Sequence, residues 1–377
     1  MTTFNLVATA AMGLEGIVAD ELKALGYTTT TENGKVYFEG NERDIARTNL
    51  WLRVADRVKI VVGSFPARTF DQLFEGVKAL PWSKIMPVDA EMPVSGKAVK
   101  STLYSVPDCQ AITKKAIVNH MKEAYGRLGF LEETGPKFKI EVSILNDVAT
   151  LTIDTSGAGL HKRGYRTEQG EAPLKETLAA ALVYISKWKP NRPFVDPFCG
   201  SGTIALEAAM IGQNIAPGYN REFISEDWPF MKEEIWEEVR NEADEAANYD
   251  QPLTIFASDI DHKMVEIAKA NAIEAGFGEI IEFKQMQVLD FTTYYENGVM
   301  IGNPPYGERM GEIEELEQMI NKMGTMMKAH PTWSVYMLSS MENFEECYGR
   351  RATKKRKLFN GFIRTDYYQY WGRKVKK

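Results

Sequence analysis

The stretch RPFVDPFCGSGTIALEAAMIG, residues 192–212, decides the fold of the larger part of this chain. RPFVDPFC reads as a short buried strand, and GTIALEAAMIG as a helix with almost no polar face. Between them, Gly200 and Gly202 allow a tight turn and a close backbone approach to a ligand. The amides at the start of the following helix have no partner within the helix and point towards such a ligand. A Gly-rich strand-to-helix turn occurs in many α/β proteins, so the turn alone carries little. Asp196 sets it apart, because it stands inside the strand just before the turn. A carboxylate there repels a pyrophosphate and suits a cofactor that carries positive charge.

Strand and helix alternate from this stretch to the end of the chain. LTIFASDI (253–260) reads as the second strand and DHKMVEIAKANAIEAG (261–276) as its helix, with Asp261 at the N-cap. EIIEFKQMQ (279–287), GVMIGNPPYG (298–307), a helix over 312–328 and WSVYMLSS (333–340) follow. KKRKLFNGFIRTDYYQYWGR (354–373) reads as a closing hairpin with Asn-Gly at its turn. This pattern predicts a doubly wound α/β sheet with an antiparallel edge, in which ligands bind at the carboxyl ends of the strands.

Further carboxylates lie at those ends. Asp259, closing the second strand, is placed to accept both ribose hydroxyls of a nucleoside cofactor. Its distance of 57 residues from Gly202 exceeds the usual ~20. An acidic insertion at 222–250 accounts for the excess. Asp290 follows the third strand, where an adenine amino group would lie. S-adenosylmethionine, with its sulfonium and ammonium groups, fits this arrangement.

The fourth strand ends in Asn303-Pro304-Pro305-Tyr306. Two consecutive prolines exclude helix and central sheet, so the chain makes a rigid corner here. The amino nitrogen of a nucleobase is a poor nucleophile, because its lone pair is delocalised into the ring. The Asn303 side-chain oxygen and the Pro304 carbonyl can each accept one amino hydrogen, which aims the lone pair at a methyl donor. Pro305 adds rigidity, and Tyr306 offers a face to a base swung out of its stack. Catalysis is then positioning, worth roughly 7–11 kcal/mol when reactants are well oriented. No thiol nucleophile is needed, so Cys199 is read as a packing residue. The same corner suits adenine N6, cytosine N4 and guanine N2.

The first 155 residues have a different, α+β character. FNLVATA (4–10), KVYFEG (35–40) and DRVKIVVGSF (56–65) read as strands. LEGIVADELKALG (14–26) and CQAITKKAIVNHMKEAYGRLG (109–129) read as helices, and KFKIEVSILNDVATLTIDT (137–155) as a hairpin turning at Asn-Asp.

The net charge of −7 is unevenly spread, since 222–250 holds 11 acidic and 2 basic side chains and the remainder sums to +2. Basic residues cluster in HKRGYR (161–166), RRATKKRK (350–357) and GRKVKK (372–377), so a polyanionic partner is compatible with the acidic total. The three cysteines have no paired spacing, the N-terminus lacks a basic signal segment, and no apolar run approaches ~20 residues. The expectation is a cytoplasmic monomer with no metal and no membrane partner.

HKRGYRTEQGEAPLKETLAAAL (161–182), DPFCGSGTIALEAA (196–209), SDID (258–261), NPPYGERMG (303–311) and LFNGFIRTDYYQY (358–370) occur in that order. With these motifs the chain resembles the bacterial THUMP-domain class I methyltransferases that act on guanine N2 of ribosomal RNA. The resemblance implies a ferredoxin-like unit at 1–65, an RNA-binding THUMP unit at 66–160 and a Rossmann-like methyltransferase domain with a seven-stranded sheet at 161–377. It implies S-adenosylmethionine as cofactor, bound by Asp196, Phe198, Gly200, Gly202, Thr203, Asp259, Ile260 and Asp290, with Lys175 and Thr177 near its methionine end. Ribosomal RNA, of the 23S type, is the implied substrate, with Arg163, Arg166, Lys354 and Lys355 as phosphate contacts. The chain ends without the second methyltransferase domain of some longer relatives, which leaves the target nucleotide open. The alternatives are transfer to tRNA guanine N2 or DNA adenine N6, a nicotinamide dehydrogenase, and a non-catalytic RNA-binding assembly factor. The dehydrogenase is opposed by Asp196 and by the lack of a G-x-G-x-x-G turn.

Overall fold

The computed structural model describes residues 2–166, 174–307 and 310–374. It separates into two compact units. The first comprises residues 1–10, 18–160 and 222–242, and the second 11–17, 161–221 and 243–377.

The first unit is built on one seven-stranded sheet. Its strands are β1 (Phe4–Thr9), β2 (Thr30–Glu32), β3 (Lys35–Gly40), β4 (Arg57–Pro66), β5 (Val94–Val99), β6 (Lys139–Leu145) and β7 (Val148–Asp154), in the order β2-β3-β1-β4-β7-β6-β5. The expected boundary at 65/66 falls within β4, which pairs antiparallel with β1 on one side and β7 on the other. The two halves of this unit therefore share a continuous hydrogen-bond ladder. The β6–β7 hairpin turns at Asn146 and Asp147, both at positive φ (51° and 62°), as a two-residue Asn-Asp loop requires. Helix α4 (Val106–Tyr125) starts three residues earlier than its pattern indicated and stops at Gly126, whose φ of 63° ends the helix. Helices α1 (Glu15–Ala24), α2 (Glu42–Trp51) and α3 (Phe70–Lys78) are the others before residue 130; the last two were not read from the sequence.

Most of the acidic insertion belongs to this first unit. Trp228 is fully buried, stacks on Phe138 with ring centroids 4.5 Å apart, and donates its indole N–H to the Lys137 carbonyl at 3.0 Å. Ser225 bonds the Thr155 carbonyl at 2.8 Å, and Phe230 stacks on Phe4. Arg43 pairs with Glu238 and Glu242, so part of the insertion's charge is neutralised there. A segment that the sequence places between a methyltransferase-type helix and strand thus packs as an integral part of the N-terminal unit.

The second unit has the expected architecture. Its strands are β8 (Phe194–Asp196), β9 (Ile255–Asp259), β10 (Ile281–Gln285), β11 (Val299–Gly302), β12 (Ser334–Ser339), β13 (Lys354–Asn360) and β14 (Ile363–Tyr370). They run β10-β9-β8-β11-β12-β14-β13; β14 alone is reversed, pairing antiparallel with β12 on one side and β13 on the other. After β8 the strand order turns from β9 to β11, and this switch point opens a crevice at the strand ends. The sheet is flanked by α5 (Glu176–Ser186), α6 (Thr203–Gly212), α8 (His262–Glu274), α9 (Met310–Met326) and the short α10 (Phe344–Tyr348), whereas α7 (Glu233–Ala246) lies mostly in the first unit. On the α9 side Met323, Met337, Phe344 and Tyr368 form a core with at most 1% exposure each. Among the described residues no helix is long and apolar enough to cross a membrane.

Candidate active site

The glycine turn is closed by the Gly202 N–H, which donates to the Cys199 carbonyl at 2.7 Å, and is held in place by its neighbours. Gly200 and Gly202 lie at φ 50° and 85°, a region that favours glycine. At Gly202 a Cβ would also come within 3.2 Å of Ala268 on α8. Asp259 accepts from the Gly200 N–H at 3.0 Å and, through its other oxygen, from the Asp261 N–H at 3.0 Å. The carboxylate at the end of β9 therefore shapes the glycine loop, while retaining lone pairs for a ligand. Asn271 ties the same loop from α8 by donating to the Ser201 carbonyl at 3.0 Å. Asp261 caps α8 through the Lys263 N–H, as its position predicted.

These elements enclose a cavity of about 490 Å³. Of the sequence-nominated residues, Phe198, Gly200, Thr203, Asp259, Ile260, Asn303 and Pro305 line it. Cys199 also lines it; the thiol is buried, and burial pushes its pKa well above the ordinary value. Met264, Met286 and Met319 supply apolar walls that no local pattern marked, since they come from α8, the loop after β10 and α9. Val288 and Leu289 line the cavity but Asp290 does not: it is exposed on the short turn 288–290. Thr177 is buried in α5 and Lys175 is exposed at its N-cap, and neither reaches the cavity; Leu174 beside them does. Ala172 and Pro173 of that motif, with Glu308 and Arg309 after the corner, lie outside the described residues.

Asp196 lies fully buried beneath the loop. One oxygen accepts from the Phe198 N–H at 3.2 Å, and the other has no hydrogen-bond partner. Burial pushes its pKa up to about 8, with the nearby Asp259 charge adding to the effect. A buried carboxylate with a free oxygen, beneath a cavity edged by a second carboxylate and walled by methionines, fits a cationic nucleoside cofactor such as S-adenosylmethionine. A pH dependence follows from this arrangement. A carboxyl raised in the fold contributes stability that is complete below about pH 4 and lost as the pH rises through about 8. A bound cation favours the ionised form, so cofactor affinity is expected to rise with pH between 6 and 8, approaching tenfold per unit. Asp196→Asn is expected to flatten that dependence. Calorimetric titration with the cofactor at several pH values checks it; an unchanged slope in the variant would contradict the assignment.

Gly302 precedes the corner where no side chain fits, since a Cβ would come within 2.8 Å of the Phe198 ring and 3.0 Å of the Met337 sulfur. The close approach of β11 to the glycine loop brings Asn303 to the cavity edge. The Tyr306 hydroxyl donates to Asn303 Oδ1 at 2.9 Å and accepts from Asn360 Nδ2 at 3.1 Å. The acceptor proposed for a base amino group is thus engaged by tyrosine here. A substrate amino group would replace a bond already directed at that oxygen.

Two expected phosphate contacts are corrected by the structure. Arg163 is buried and forms a bidentate pair with Glu207 of α6, at 3.1 and 3.3 Å, with side chains 1% and 0% exposed. A guanidinium that compensates a buried carboxylate has no face left for a phosphate. Arg166 is also largely enclosed, bonding Thr203 Oγ1 at 2.8 Å, the Leu174 carbonyl at 3.1 Å and Glu176 at 3.1 Å. It braces two cavity-lining residues instead of facing solvent. Lys354 and Lys355 are exposed on the edge strand β13, although Lys355 already pairs with Glu345 at 3.2 Å. Arg163→Met is expected to cost about 3–5 kcal/mol of stability by stranding Glu207, with RNA affinity of the folded fraction unchanged. Thermal unfolding together with filter binding checks it.

A doubly wound sheet with this strand order, a glycine loop under an acidic crevice and an Asn-Pro-Pro-Tyr corner defines a class I methyltransferase. The chain belongs to the family of the RMKL-like methyltransferase domain, whose model matches residues 163–369. The RlmL ferredoxin-like domain matches 5–59 and the THUMP domain 67–154. A Bacillus subtilis (strain 168) protein, YpsC, named as a proposed RNA methyltransferase, is 62% identical over 99% of this chain and 97% of its own. The ribosomal RNA large subunit methyltransferase K/L of Shewanella frigidimarina is 35% identical over 96% of this chain, which spans only 52% of that protein. A crystal structure from Listeria monocytogenes, described as a predicted N6-adenine-specific DNA methylase, superposes with a TM-score of 0.95 at 64% identity, covering 99% and 97% of the two chains. SMU.472, described as a proposed methyltransferase complexed with SAH, superposes with a TM-score of 0.96 at 52% identity over the full length of both. Methyltransferases of this family use S-adenosylmethionine as methyl donor, and the cavity fits it. Among the described residues no group of three or more His, Cys, Asp or Glu is arranged to hold a metal ion.

Proposed function

We propose that this protein methylates the exocyclic N2 of a guanine in large-subunit ribosomal RNA, in the cytoplasm and as a monomer. The observation that carries the reading is the corner. Asn303 stands at the edge of the cofactor cavity, at the end of a strand packed against the glycine loop. Bound in the cavity, S-adenosylmethionine supplies an electrophilic methyl group. Asn303 Oδ1 and the Pro304 carbonyl accept the two amino hydrogens and direct the nitrogen lone pair towards that methyl. Tyr306 provides the stacking face, and the amino proton leaves to solvent. RNA as substrate is supported by the THUMP match and by the names of the YpsC and K/L relatives. Residues 1–160, with the strap 222–242, would engage the RNA, and the second unit would carry the chemistry.

A second reading, transfer to adenine N6 of DNA, is favoured by the description of the Listeria relative and by a corner that accommodates either base. The test is incubation with tritiated S-adenosylmethionine and RNA or DNA from cells lacking the gene, followed by nucleoside analysis. Label in N2-methylguanosine of the large ribosomal RNA supports the proposal. Label in N6-methyladenine of DNA replaces it with the second reading. A bound cofactor with no label in any acceptor would leave a non-catalytic RNA-binding role.

A further inference from the structure

The structure assigns Phe362, at the tip of the closing hairpin, as an aromatic wedge against the nucleotides that flank the target base; the assignment rests on the nucleobase reading above.

Strands β13 and β14 pair down to Asn360 opposite Ile363, so their loop is the two residues Gly361 and Phe362. Gly361, at φ 61°, supplies the left-handed first position of that loop. The turn needs no apolar residue after the glycine. Phe362 nevertheless occupies that place with 105% relative exposure, so its ring supports nothing in the fold. Ile363 beside it is 49% exposed.

The position of this ring is tied to the chemistry. Asn360, two residues before it, donates to the Tyr306 hydroxyl at 3.1 Å, and that hydroxyl donates to Asn303 Oδ1 at 2.9 Å. The hairpin tip is therefore linked by two hydrogen bonds to the residue that would hold the amino group. Two residues of chain keep the Phe362 backbone within about 7 Å of Asn360, beside the corner. Exposed Lys354, Lys357 and Arg364 stand on the same hairpin. An unsupported aromatic ring with cations along the strands behind it suits nucleic acid, where bases stack and phosphates pair with charge.

A base that reaches the corner must leave its stack, and the vacated place favours its return. An aromatic ring inserted there offsets the lost stacking, as apolar wedges do in other nucleic acids. Phe362 is a positioning residue in this sense: it touches neighbouring nucleotides, not the reacting atoms.

The test compares the full-length protein with Phe362→Ala and Phe362→Trp, using tritiated S-adenosylmethionine and total RNA from cells lacking the gene. Phe362→Ala is expected to lower kcat/KM for RNA at least tenfold, mostly through kcat, with cofactor affinity and melting temperature unchanged. Phe362→Trp is expected to restore transfer to within about threefold, because a larger ring still stacks. An alanine variant that matches the parent on the same RNA would overturn the wedge while leaving the nucleobase reading intact. A parent that labels no nucleic acid would overturn both. Loss of transfer in both variants alike would also overturn it, since stacking would not be what the position supplies.

Discussion

Asn303→Ala is expected to lower methyl transfer by about 10²–10³-fold while cofactor affinity changes little. Removal of one preorganised group at a reacting centre typically costs that much. The larger gain available from orientation is shared with the Pro304 carbonyl and the Tyr306 face, which the variant keeps. The Tyr306 hydroxyl loses its acceptor in this variant but retains the Asn360 amide as a partner, so the corner keeps one of its two anchoring bonds. Single-turnover transfer from tritiated S-adenosylmethionine, with cofactor affinity measured in parallel, separates the two quantities. Parental activity in Asn303→Ala would sink the mechanism and favour a non-catalytic role.

Trp228→Ala is expected to destabilise the protein by about 3–5 kcal/mol, the usual cost of removing a large buried aromatic side chain. The indole is fully buried, stacks on Phe138, and fills its N–H with the Lys137 carbonyl. Differential scanning calorimetry of the full-length protein is expected to show a melting transition lower by roughly 10 °C, at about 2–4 °C per kcal/mol. Splitting the chain between 160 and 161 is expected to have a related effect. The N-terminal fragment would lack the strap 222–242 and the C-terminal fragment would expose its aromatic face. Soluble expression of the two fragments, alone and together, checks this; a monomeric, fully folded 1–160 fragment would show the strap to be dispensable.

Much of the second unit was legible because its elements are short-range. RPFVDPFC followed by GSGT has a strand period, a glycine turn and a helix start within a dozen residues, and each is a local steric statement. The same holds for Asp261 at its N-cap and for the Asn-Asp turn of the β6–β7 hairpin. The closing hairpin was legible too, although its loop is Gly361–Phe362 and Asn360 is the last strand residue, free to bond Tyr306. What the pattern could not distinguish was a basic residue that faces solvent from one that pairs inside. HKRGYR reads as a phosphate-binding run, yet Arg163 finds Glu207 some 44 residues later. Charge composition is local, whereas ion pairing depends on which helix packs above.

The sequence by itself determined the catalytic class: the order of Asp196, the glycine turn, Asp259 and the Asn-Pro-Pro-Tyr corner is a chemical specification carried by backbone-restricted residues. Tertiary structure alone decided three further points. It assigned most of the acidic insertion to the N-terminal unit, it merged the first 160 residues into one sheet through β4 and β7, and it turned Arg163 and Arg166 from surface into interior. The physical reason is common to all three. Hydrogen-bond ladders, aromatic stacking and buried ion pairs join residues far apart in the chain, and no local period or propensity records which distant partner will satisfy them.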